Sequence, residues 1–281
     1  MIAVTGATGT VGGQVARLLA ADHRVRLLVR DPHRAAKQGV PGQAVATDLG
    51  DRASLDAALA GVHALFLLTA NPLLPHHDPN ILDAARRSGV RHIVKLSALA
   101  VADEHADDLI TRWQRRNETL LKDCGVPWTI LRPRAFMSNS LAWAASLRTT
   151  GVVRAPDGTS RNACVAPQDV AAVAAQALTG PGGQALTHPL TGPQALSAEE
   201  QTAVLAQVLG RPVRFEAITL EQAYAAWAAK YPEPVAQALL HSARRQRDGA
   251  KQDTDPTVET LLGRPAQTYR QWVRQHRRQF L

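Results

Sequence analysis

The feature that most constrains the fold is a glycine-rich segment near the start of the chain. Met1–Thr5 is a short apolar run, and Gly6-Ala7-Thr8-Gly9-Thr10-Val11-Gly12 follows it directly. Gln14–Ala21 then has apolar residues at helical spacing. A strand, a glycine turn and a helix in this order are the context of a dinucleotide-binding fingerprint. The segment therefore predicts a site for the phosphates of a nucleotide.

The glycines and the helix start each have a distinct role in such a turn. Gly6 permits the tight turn, Gly9 allows the backbone to approach a pyrophosphate, and Gly12 allows close packing of helix on strand. The helix N-terminus offers free N–H groups to the phosphates. We therefore expect the cofactor phosphates to bind Gly6, Thr8, Gly9, Thr10, Val11 and Gly12.

The end of the second strand predicts which cofactor is bound. The predicted strand Arg24–Val29 ends at Arg30, the position that meets the adenosine ribose in this architecture. An acid there binds the 2′-hydroxyl of NAD, whereas an arginine accommodates the 2′-phosphate of NADP. Arg30 and Arg34 therefore predict a preference for NADP(H), while the intervening Asp31 leaves NAD(H) open. The alternative is that both arginines are solvated surface charges.

Strands and helices continue to alternate with short connections. The further predicted strands are Ala44–Ala46, His63–Leu68 and His92–Leu96, and the helices are Ser54–Leu59 and Pro79–Ser88. This order indicates an α/β fold of the Rossmann type, with a doubly wound parallel sheet. Because cofactors bind at the carboxyl ends of such strands, we expect cofactor contacts from Asp48, Leu49, Thr69 and Ser97. A turn or cap role explains Asp48 or Ser97 equally well.

The pattern changes after the sixth strand and becomes mostly helical. We predict helices at Ser138–Leu147 and Gln267–Phe280, a strand at Gln184–Leu190, and a capping box formed by Ser197 and Glu200. Residues 1–135 and 165–192 are predicted to form the Rossmann domain. Residues 136–164 and 193–281 are predicted to form a small, mostly α substrate-binding lobe that completes one compact unit.

Composition excludes several classes of protein. The two cysteines have no metal-ligand spacing, which fits a reducing, cytoplasmic location, and the apolar stretches are too short to span a membrane. The net charge is +8, but the basic runs Arg244–Arg247 and Arg274–Arg278 lack interleaved aromatics. They are interpreted as solvated helix faces, so nucleic acid is not favoured as a partner. His76-His77-Asp78 is interpreted as a solvated loop, and no metal site is expected.

The ordered set of motifs resembles the NmrA-like family of atypical short-chain dehydrogenase/reductases, especially its quinone-oxidoreductase-like branch. The segments that carry the resemblance are Thr5–Gly12, Leu28–Ala35, Thr47–Asp51, Val94–Ala98, Trp128–Asn139, Val165–Ala171 and Leu190–Leu196. The resemblance implies that the first segment binds the cofactor phosphates and the second the adenosine end. It places Ser97 near the nicotinamide, and Arg132, Pro133 and Phe136 at the border between nicotinamide and substrate.

The Tyr-x-x-x-Lys pair of ordinary short-chain dehydrogenases is missing. None of the three tyrosines has a lysine four residues later. On the predicted helix Leu109–Cys124, Gln114 and Glu118 have the i, i+4 spacing that places two side chains on one face. Gln114 cannot exchange a proton, although its amide can orient a carbonyl or quinone oxygen. Alternatively both residues are solvated, with Glu118 paired to Lys122 or Arg115.

We therefore expect an NAD(P)H-dependent oxidoreductase that transfers hydride to a quinone or conjugated carbonyl small molecule. Gln114 and Ser97 are the candidate catalytic residues, as substrate-orienting groups. The alternative is a non-catalytic NADP(H)-sensing regulator that acts through a protein partner. A homodimer is also compatible with the sequence.

Overall fold

The computed structural model describes residues 1–180 and 185–281. Its strands in chain order are β1 (Ile2–Thr5), β2 (Val25–Val29), β3 (Gln43–Ala46), β4 (Ala64–Leu67), β5 (His92–Leu96), β6 (Trp128–Pro133), β7 (Val152–Pro156), β8 (Leu186–Leu190) and β9 (Arg214–Ile218). Its α-helices are α1 (Gly12–Leu19), α2 (Pro32–Lys37), α3 (Arg52–Leu59), α4 (His77–Arg87), α5 (Leu109–Asp123), α6 (Ala144–Thr150), α7 (Pro167–Thr179), α8 (Ala198–Leu209), α9 (Leu220–Ala228), α10 (Glu233–Arg247), α11 (Thr257–Leu262), α12 (Tyr269–Gln275) and α13 (Arg277–Phe280). Two 3-10 helices span Leu99–Ala102 and Met137–Trp143.

Seven strands form one sheet in the order β3-β2-β1-β4-β5-β6-β8. The pairings among β1 to β6 are parallel, with Ile2 of β1 opposite Val25 of β2 and Ala64 of β4. From β1 the chain adds β2 and β3 on one side, and it then adds β4, β5 and β6 on the other side. The crossover connections on the two sides of β1 therefore run in opposite directions and leave a crevice between them. A crevice at this switch point is where Rossmann-type folds bind their ligands. The predicted fold class is confirmed.

The first compact unit contains Met1–Val101, Arg112–Pro133 and Pro167–Pro189. Strands β1, β4 and β5 are buried at every position, and β4 is the continuous apolar run that a strand buried on both faces is expected to have. Apolar side chains of α3 and α4 pack with those of the sheet, and Leu55 and Ile81 are fully buried among them.

The second compact unit contains Ala102–Thr111, Arg134–Ala166 and Leu190–Leu281. Its core surrounds Trp272, which stacks on Tyr269 at 6.0 Å and meets Phe280 edge-on at 6.1 Å between ring centroids. Besides helices it contains a parallel two-stranded sheet of β7 and β9, with Val152 opposite Arg214. This small sheet was not predicted from the sequence.

Two helix predictions in the second unit are corrected by the structure. The helix expected at Ser138–Leu147 is a 3-10 helix at Met137–Trp143 followed by α6, and the helix expected at Gln267–Phe280 is broken at His276 into α12 and α13. The predicted capping box is confirmed, since Ser197 and Glu200 exchange side-chain and backbone hydrogen bonds. The predicted strand at Gln184–Leu190 is β8, although Gln184 itself lies outside the described residues.

Candidate functional site

The glycine turn after β1 has the geometry that its sequence predicts. Gly6 has a φ of +64°, a left-handed backbone conformation that residues other than glycine rarely adopt. The Gly9 N–H donates to the Gly6 carbonyl at 2.9 Å, and a Cβ on Gly9 would stand 3.2 Å from that same oxygen. A Cβ on Gly12 would collide with the Gly6 backbone, so α1 packs on the turn more closely than any other residue allows. No side chain caps α1, and a helix N-terminus of this kind favours an anion.

An open cleft of about 940 Å³ lies beside this turn, within the first compact unit. It brings together eight of the residues predicted to bind the cofactor: Gly6, Thr8, Gly9, Arg30, Arg34, Asp48, Leu49 and Thr69. Its other lining residues are Leu28, Val29, Ala46, Thr47, Asp51, Ser54, Leu68, Ala70, Asn71, Leu74 and His77. The cleft combines a phosphate-binding turn, an apolar wall and two arginines, which are the parts that a phosphorylated adenosine requires.

The two arginines at the end of β2 are exposed and face the cleft. Neither Arg30 nor Arg34 forms an ion pair with any described residue, so both guanidinium groups remain available to a phosphate. Asp31, which the sequence analysis weighed in favour of NAD, instead caps α2. Its carboxylate accepts hydrogen bonds from the N–H groups of His33 at 2.9 Å and Arg34 at 3.2 Å.

Thr69, which lines the cleft, contacts a buried ion pair formed by Asp78 and Lys95. Thr69 Oγ1 donates to Asp78 Oδ1 at 2.5 Å, and Lys95 Nζ donates to Asp78 Oδ2 at 2.6 Å. Both charged side chains are fully buried. The prediction that Asp78 lies in a solvated loop is wrong, because His77–Arg87 is a helix that turns Asp78 inward against β5. The signal that was missed is Lys95, a lysine inside a strand buried on both faces, which needs an acidic partner.

Asp48 and Leu49 shape the turn that borders the cleft. Asp48 Oδ1 accepts from the Gly50 N–H at 2.8 Å, while the Asp48 N–H donates to Ser54 Oγ at 3.0 Å. The Leu49 carbonyl accepts from Asn80 Nδ2 at 3.2 Å. Asp48 therefore makes the turn contacts that were its alternative role, and it also lines the cleft.

The remaining predicted residues do not line the cleft. Thr10 is exposed, Val11 is buried under the turn, Pro133 is buried at the end of β6, and Phe136 is half-buried in a bridge with Val165 of the second unit. Ser97, which follows β5, and Gln114 of α5 are both buried.

Ser97 belongs to a buried hydrogen-bond network centred on Glu118. Ser97 Oγ donates to Glu118 Oε1 at 2.6 Å, and Arg132 donates to both carboxylate oxygens, at 2.9 Å and 2.5 Å. The alternative of a solvated Glu118 is therefore wrong, because its side chain is 2 % exposed. The ion pair with Lys122 that belonged to this alternative is present, at 4.0 Å. Because the Ser97 hydroxyl proton points to Glu118, Ser97 can accept a hydrogen bond from a ligand but cannot simultaneously donate one.

Gln114 and its neighbour Asn117 are also buried, not solvated. Gln114 is 7 % exposed, Asn117 is inaccessible, and Gln114 Oε1 and both amide atoms of Asn117 have no hydrogen-bond partner in the described residues. Buried amides without partners are uncommon and indicate a ligand or water. Asn117 was not among the predicted site residues, although it lies one residue before Glu118 on the same helix.

Neither a metal centre nor a membrane helix is found in the parts of the chain that the structure describes. No three His, Cys, Asp or Glu side chains are grouped to hold a metal ion. None of the described helices is long and apolar enough to cross a membrane.

Known proteins share this architecture along the whole chain. The sequence is 52% identical to the (4-alkanoyl-5-oxo-2,5-dihydrofuran-3-yl)methyl phosphate reductase of Streptomyces griseus subsp. griseus, covering 100% of this chain and 99% of the relative. It is 37% identical to the NAD(P)H azoreductase of Xenophilus azovorans, covering 98% of each chain. The NADPH complex of the NADPH-dependent quinone oxidoreductase of Escherichia coli superposes with a TM-score of 0.85 at 27% identity, covering 98% of this chain and 99% of that one.

These likenesses agree with the geometry of the cleft. The match to the NAD(P)H-binding family spans residues 6–181, which begins at the glycine turn and includes the cleft. The predicted class, an NAD(P)H-dependent oxidoreductase of the NmrA-like branch, is confirmed. The chain belongs to the NAD(P)H-binding family of reductases.

Proposed function

We propose that this chain is an NADPH-dependent reductase of a conjugated butenolide that carries a phosphate ester. The observation that carries the proposal is the full-length likeness to the Streptomyces reductase, at 52% identity. That relative's substrate is a lactone whose ring C=C is conjugated with two carbonyls, the ring carbonyl and the alkanoyl group. This is a conjugated carbonyl, the class that the sequence predicts.

NADPH is proposed as the cofactor because the cleft places two arginines where the 2′-phosphate is recognised. Arg30 and Arg34 would hold that phosphate, and the turn from Gly6 to Gly12 would hold the pyrophosphate. Asp31 does not compete for the ribose, because its carboxylate is engaged in capping α2.

The missing Tyr-x-x-x-Lys pair is consistent with this substrate. NADPH held by the turn from Gly6 to Gly12 and by Arg30 would supply hydride to the ring carbon that bears the phosphorylated methyl group, and would be oxidised to NADP⁺. The electron pair then moves to the neighbouring carbon, where both carbonyls delocalise it, and that carbon takes a proton from water. Because the resulting anion is so well stabilised, no strong acid is needed.

The role that we propose for the chain is to hold the substrate carbonyls in position. Gln114 is the proposed orienting group, since its amide nitrogen can donate to a carbonyl oxygen and the amide is already buried. Ser97 is held in place by Glu118 and offers its lone pairs, so we propose that it accepts from the carboxamide of the nicotinamide. The alternative of a non-catalytic regulator is disfavoured because these relatives are reductases. A homodimer or a regulatory protein partner stays a prediction.

The substrate is tested by following NADPH absorbance across three compounds. These are a synthetic 4-alkanoyl butenolide with a phosphorylated 3-hydroxymethyl group, a benzoquinone and an azo dye. The highest kcat/KM is expected for the butenolide phosphate. Higher kcat/KM for the quinone would move the assignment to a quinone reductase, and no oxidation of NADPH with any compound would favour the regulator.

The cofactor is tested by titration calorimetry of the Arg30→Asp variant with NADPH and NADH. Loss of one charge-assisted contact to phosphate weakens binding of NADPH by about 10- to 100-fold. The affinity for NADH should change much less. The matched control is Arg24→Asp, which makes the same charge change at an exposed residue that does not line the cleft. Equal losses for NADPH and NADH would contradict the 2′-phosphate role of Arg30.

A further inference from the structure

The buried Asp78–Lys95 ion pair is linked to the cofactor cleft by one hydrogen bond. Asp78 Oδ2 accepts from Lys95 Nζ at 2.6 Å, and Asp78 Oδ1 accepts from Thr69 Oγ1 at 2.5 Å. Both charged side chains are fully buried, whereas Thr69 is half-buried and lines the cleft. Any effect of the pair on a bound cofactor would therefore act through the Thr69 hydroxyl.

Three elements of the first compact unit bring these side chains together. Thr69 follows β4 by two residues, Lys95 belongs to β5, and Asp78 lies in the first turn of α4. Lys95 is opposite Leu67 in the parallel pairing of β4 and β5, and Leu67 lies two residues before Thr69. Because side chains two residues apart along a strand point to the same face of a sheet, Thr69 and Lys95 both reach Asp78 on one face.

The stability of the core does not explain a buried ion pair at this position. Taking two charges out of water is costly, and well-packed apolar side chains of similar volume are often at least as stable. The residues opposite Lys95 on the two neighbouring strands, Leu67 and Ile130, are apolar and fully buried. What the pair adds to an apolar core is the hydrogen bond to Thr69.

This hydrogen bond determines which part of the Thr69 hydroxyl is left for a ligand. A threonine hydroxyl has one proton and two acceptor lone pairs. The proton is donated to the Asp78 carboxylate, in a charge-assisted hydrogen bond of the stronger kind. In the part of the chain that the structure describes, no group donates to Thr69 Oγ1. Thr69 can therefore accept a hydrogen bond from a ligand in the cleft, but it cannot simultaneously donate one.

The position of Thr69 limits the groups of NADP(H) from which it can accept. Thr69 follows Leu68, whose N–H donates to Thr5 Oγ1 at 2.7 Å and whose side chain is so close to the phosphate-binding turn that a Cβ on Gly6 would stand 2.8 Å from it. Pyrophosphate oxygens carry no proton near neutral pH and cannot donate. The groups on either side of the pyrophosphate are the two ribose sugars, whose hydroxyls can donate. A ribose hydroxyl is therefore the cofactor group that matches Thr69.

We propose that Asp78 and Lys95 are positioning residues of the cofactor site, which hold the Thr69 hydroxyl as an acceptor for a ribose hydroxyl of NADP(H). This inference rests on the proposed binding of NADPH in the cleft, and it adds two residues that do not touch the cofactor. Lys95 holds one oxygen of the Asp78 carboxylate, and the other oxygen takes the Thr69 proton. Because the acceptor is oriented before the cofactor binds, less side-chain entropy is lost on binding.

Calorimetric titration with NADPH tests the contact at Thr69. Thr69→Val removes the hydroxyl but keeps the shape of the side chain, and it should weaken NADPH binding by about 2- to 10-fold, as expected for one neutral hydrogen bond. Thr69→Ser keeps the hydroxyl and should restore binding to near the wild-type value. The control is Thr119→Val, since the exposed Thr119 hydroxyl donates to the Arg115 carbonyl at 3.2 Å and does not line the cleft. An equal loss of affinity in Thr119→Val would overturn the proposal.

A double-mutant cycle tests whether Asp78 acts through Thr69. In Asp78→Asn we expect Lys95 to take the one amide oxygen, so that the amide nitrogen donates to Thr69 and the Thr69 proton turns toward the cleft. NADPH binding should weaken by about 2- to 10-fold in the wild-type background and should not weaken further in the Thr69→Val background. Additive losses would indicate a structural role of Asp78 and overturn the positioning role, as would wild-type affinity in Asp78→Asn. The control Asp83→Asn, at an exposed residue of the same helix, should leave the Kd of NADPH unchanged.

Circular dichroism shows whether each variant is folded. If Asp78→Asn is unfolded, the same cycle is measured with Asp78→Asn/Lys95→Met, which removes both buried charges, and the same absence of a further loss in the Thr69→Val background is expected. Adenosine 2′,5′-bisphosphate, which contains only the adenosine ribose, identifies the sugar. A loss in Thr69→Val as large as that for NADPH assigns the contact to the adenosine ribose, and a loss for NADPH alone assigns it to the nicotinamide ribose.

The titration also separates this inference from the proposed function. If the wild type binds no NADPH, the proposed cofactor and the positioning role fail together. If the wild type binds NADPH and Thr69→Val binds it equally well, the positioning role alone fails and the proposed function stands.

Discussion

Replacement of Lys95 by Met isolates the electrostatic contribution of the buried ion pair behind the cofactor cleft. Met is apolar and nearly as long as lysine, so the substitution removes a charge while leaving only a small cavity. Among the described residues, Asp78 would then keep Thr69 Oγ1 as its side-chain donor, at a site where both members of the pair are fully buried. Removing one partner of a buried pair costs about 3–5 kcal/mol. At about 2–4 °C per kcal/mol for large domains, the melting temperature should fall by roughly 6–20 °C.

The free energy of unfolding is measured by urea titration with circular dichroism. The control is Arg86→Met on the same helix, which removes an exposed partner of Asp83 at 3.3 Å and should cost less than about 1 kcal/mol. If Lys95→Met is as mild as this control, the charges of Lys95 and Asp78 are not coupled as described. The double variant Lys95→Met/Asp78→Asn neutralises the orphaned charge and should recover part of the loss. Strict additivity of the two single changes would refute the pairing.

Three further predictions concern the glycine turn Gly6–Gly12, the hydrogen bonds of Glu118 and the pKa of Lys251. Gly12→Ala should abolish detectable NADPH binding in calorimetry, because its Cβ overlaps backbone, whereas Gly9→Ala, with its Cβ 3.2 Å from the nearest oxygen, should weaken it less. Glu118→Gln should lower the unfolding free energy in urea by about 1.5–3 kcal/mol, since its bidentate guanidinium partner loses a charged acceptor. Lys251, whose pKa is lowered to about 8 by burial, holds fewer protons in the folded than in the unfolded state above that pH. The unfolding free energy, measured by urea titration at several pH values, should therefore rise between about pH 8 and 9. Burial raises the pKa of the Cys164 thiol to about 11, so this thiol contributes at higher pH. A flat profile for the wild type, or the same rise in Lys251→Met, would contradict the assignment to Lys251.

Local patterns predicted the sheet because parallel strands that are buried on both faces have continuous apolar sequences. His92–Leu96 was predicted with the same bounds that the structure has. The partner of Lys95 within that strand was not predicted, because Asp78 precedes it by 17 residues and approaches it only through the packing of α4 on the sheet. A lysine in a strand that is buried on both faces nevertheless indicates an acidic side chain close to it.

The candidate site was predicted less completely, since spacing on a helix does not reveal which face is buried. Gln114 and Glu118 were recognised by their spacing, but their burial and the Arg132 partner depend on how α5 packs against β6. The basic run of α10 shows the same limit. Periodicity groups its arginines together, while the structure turns Arg245 toward Asp103 and leaves Arg244 in solvent.

The cap of α2 has a consequence for attempts to convert the enzyme from NADPH to NADH. An acidic residue already stands beside Arg30, yet Asp31 supports the backbone N–H groups of His33 and Arg34. Turning that carboxylate toward a ribose hydroxyl would uncap the helix, at a cost of about 0.5–2 kcal/mol. Removing the positive charge at Arg30 would therefore produce an enzyme that binds both dinucleotides weakly. A change of preference requires a second acid, introduced at the end of β2 itself.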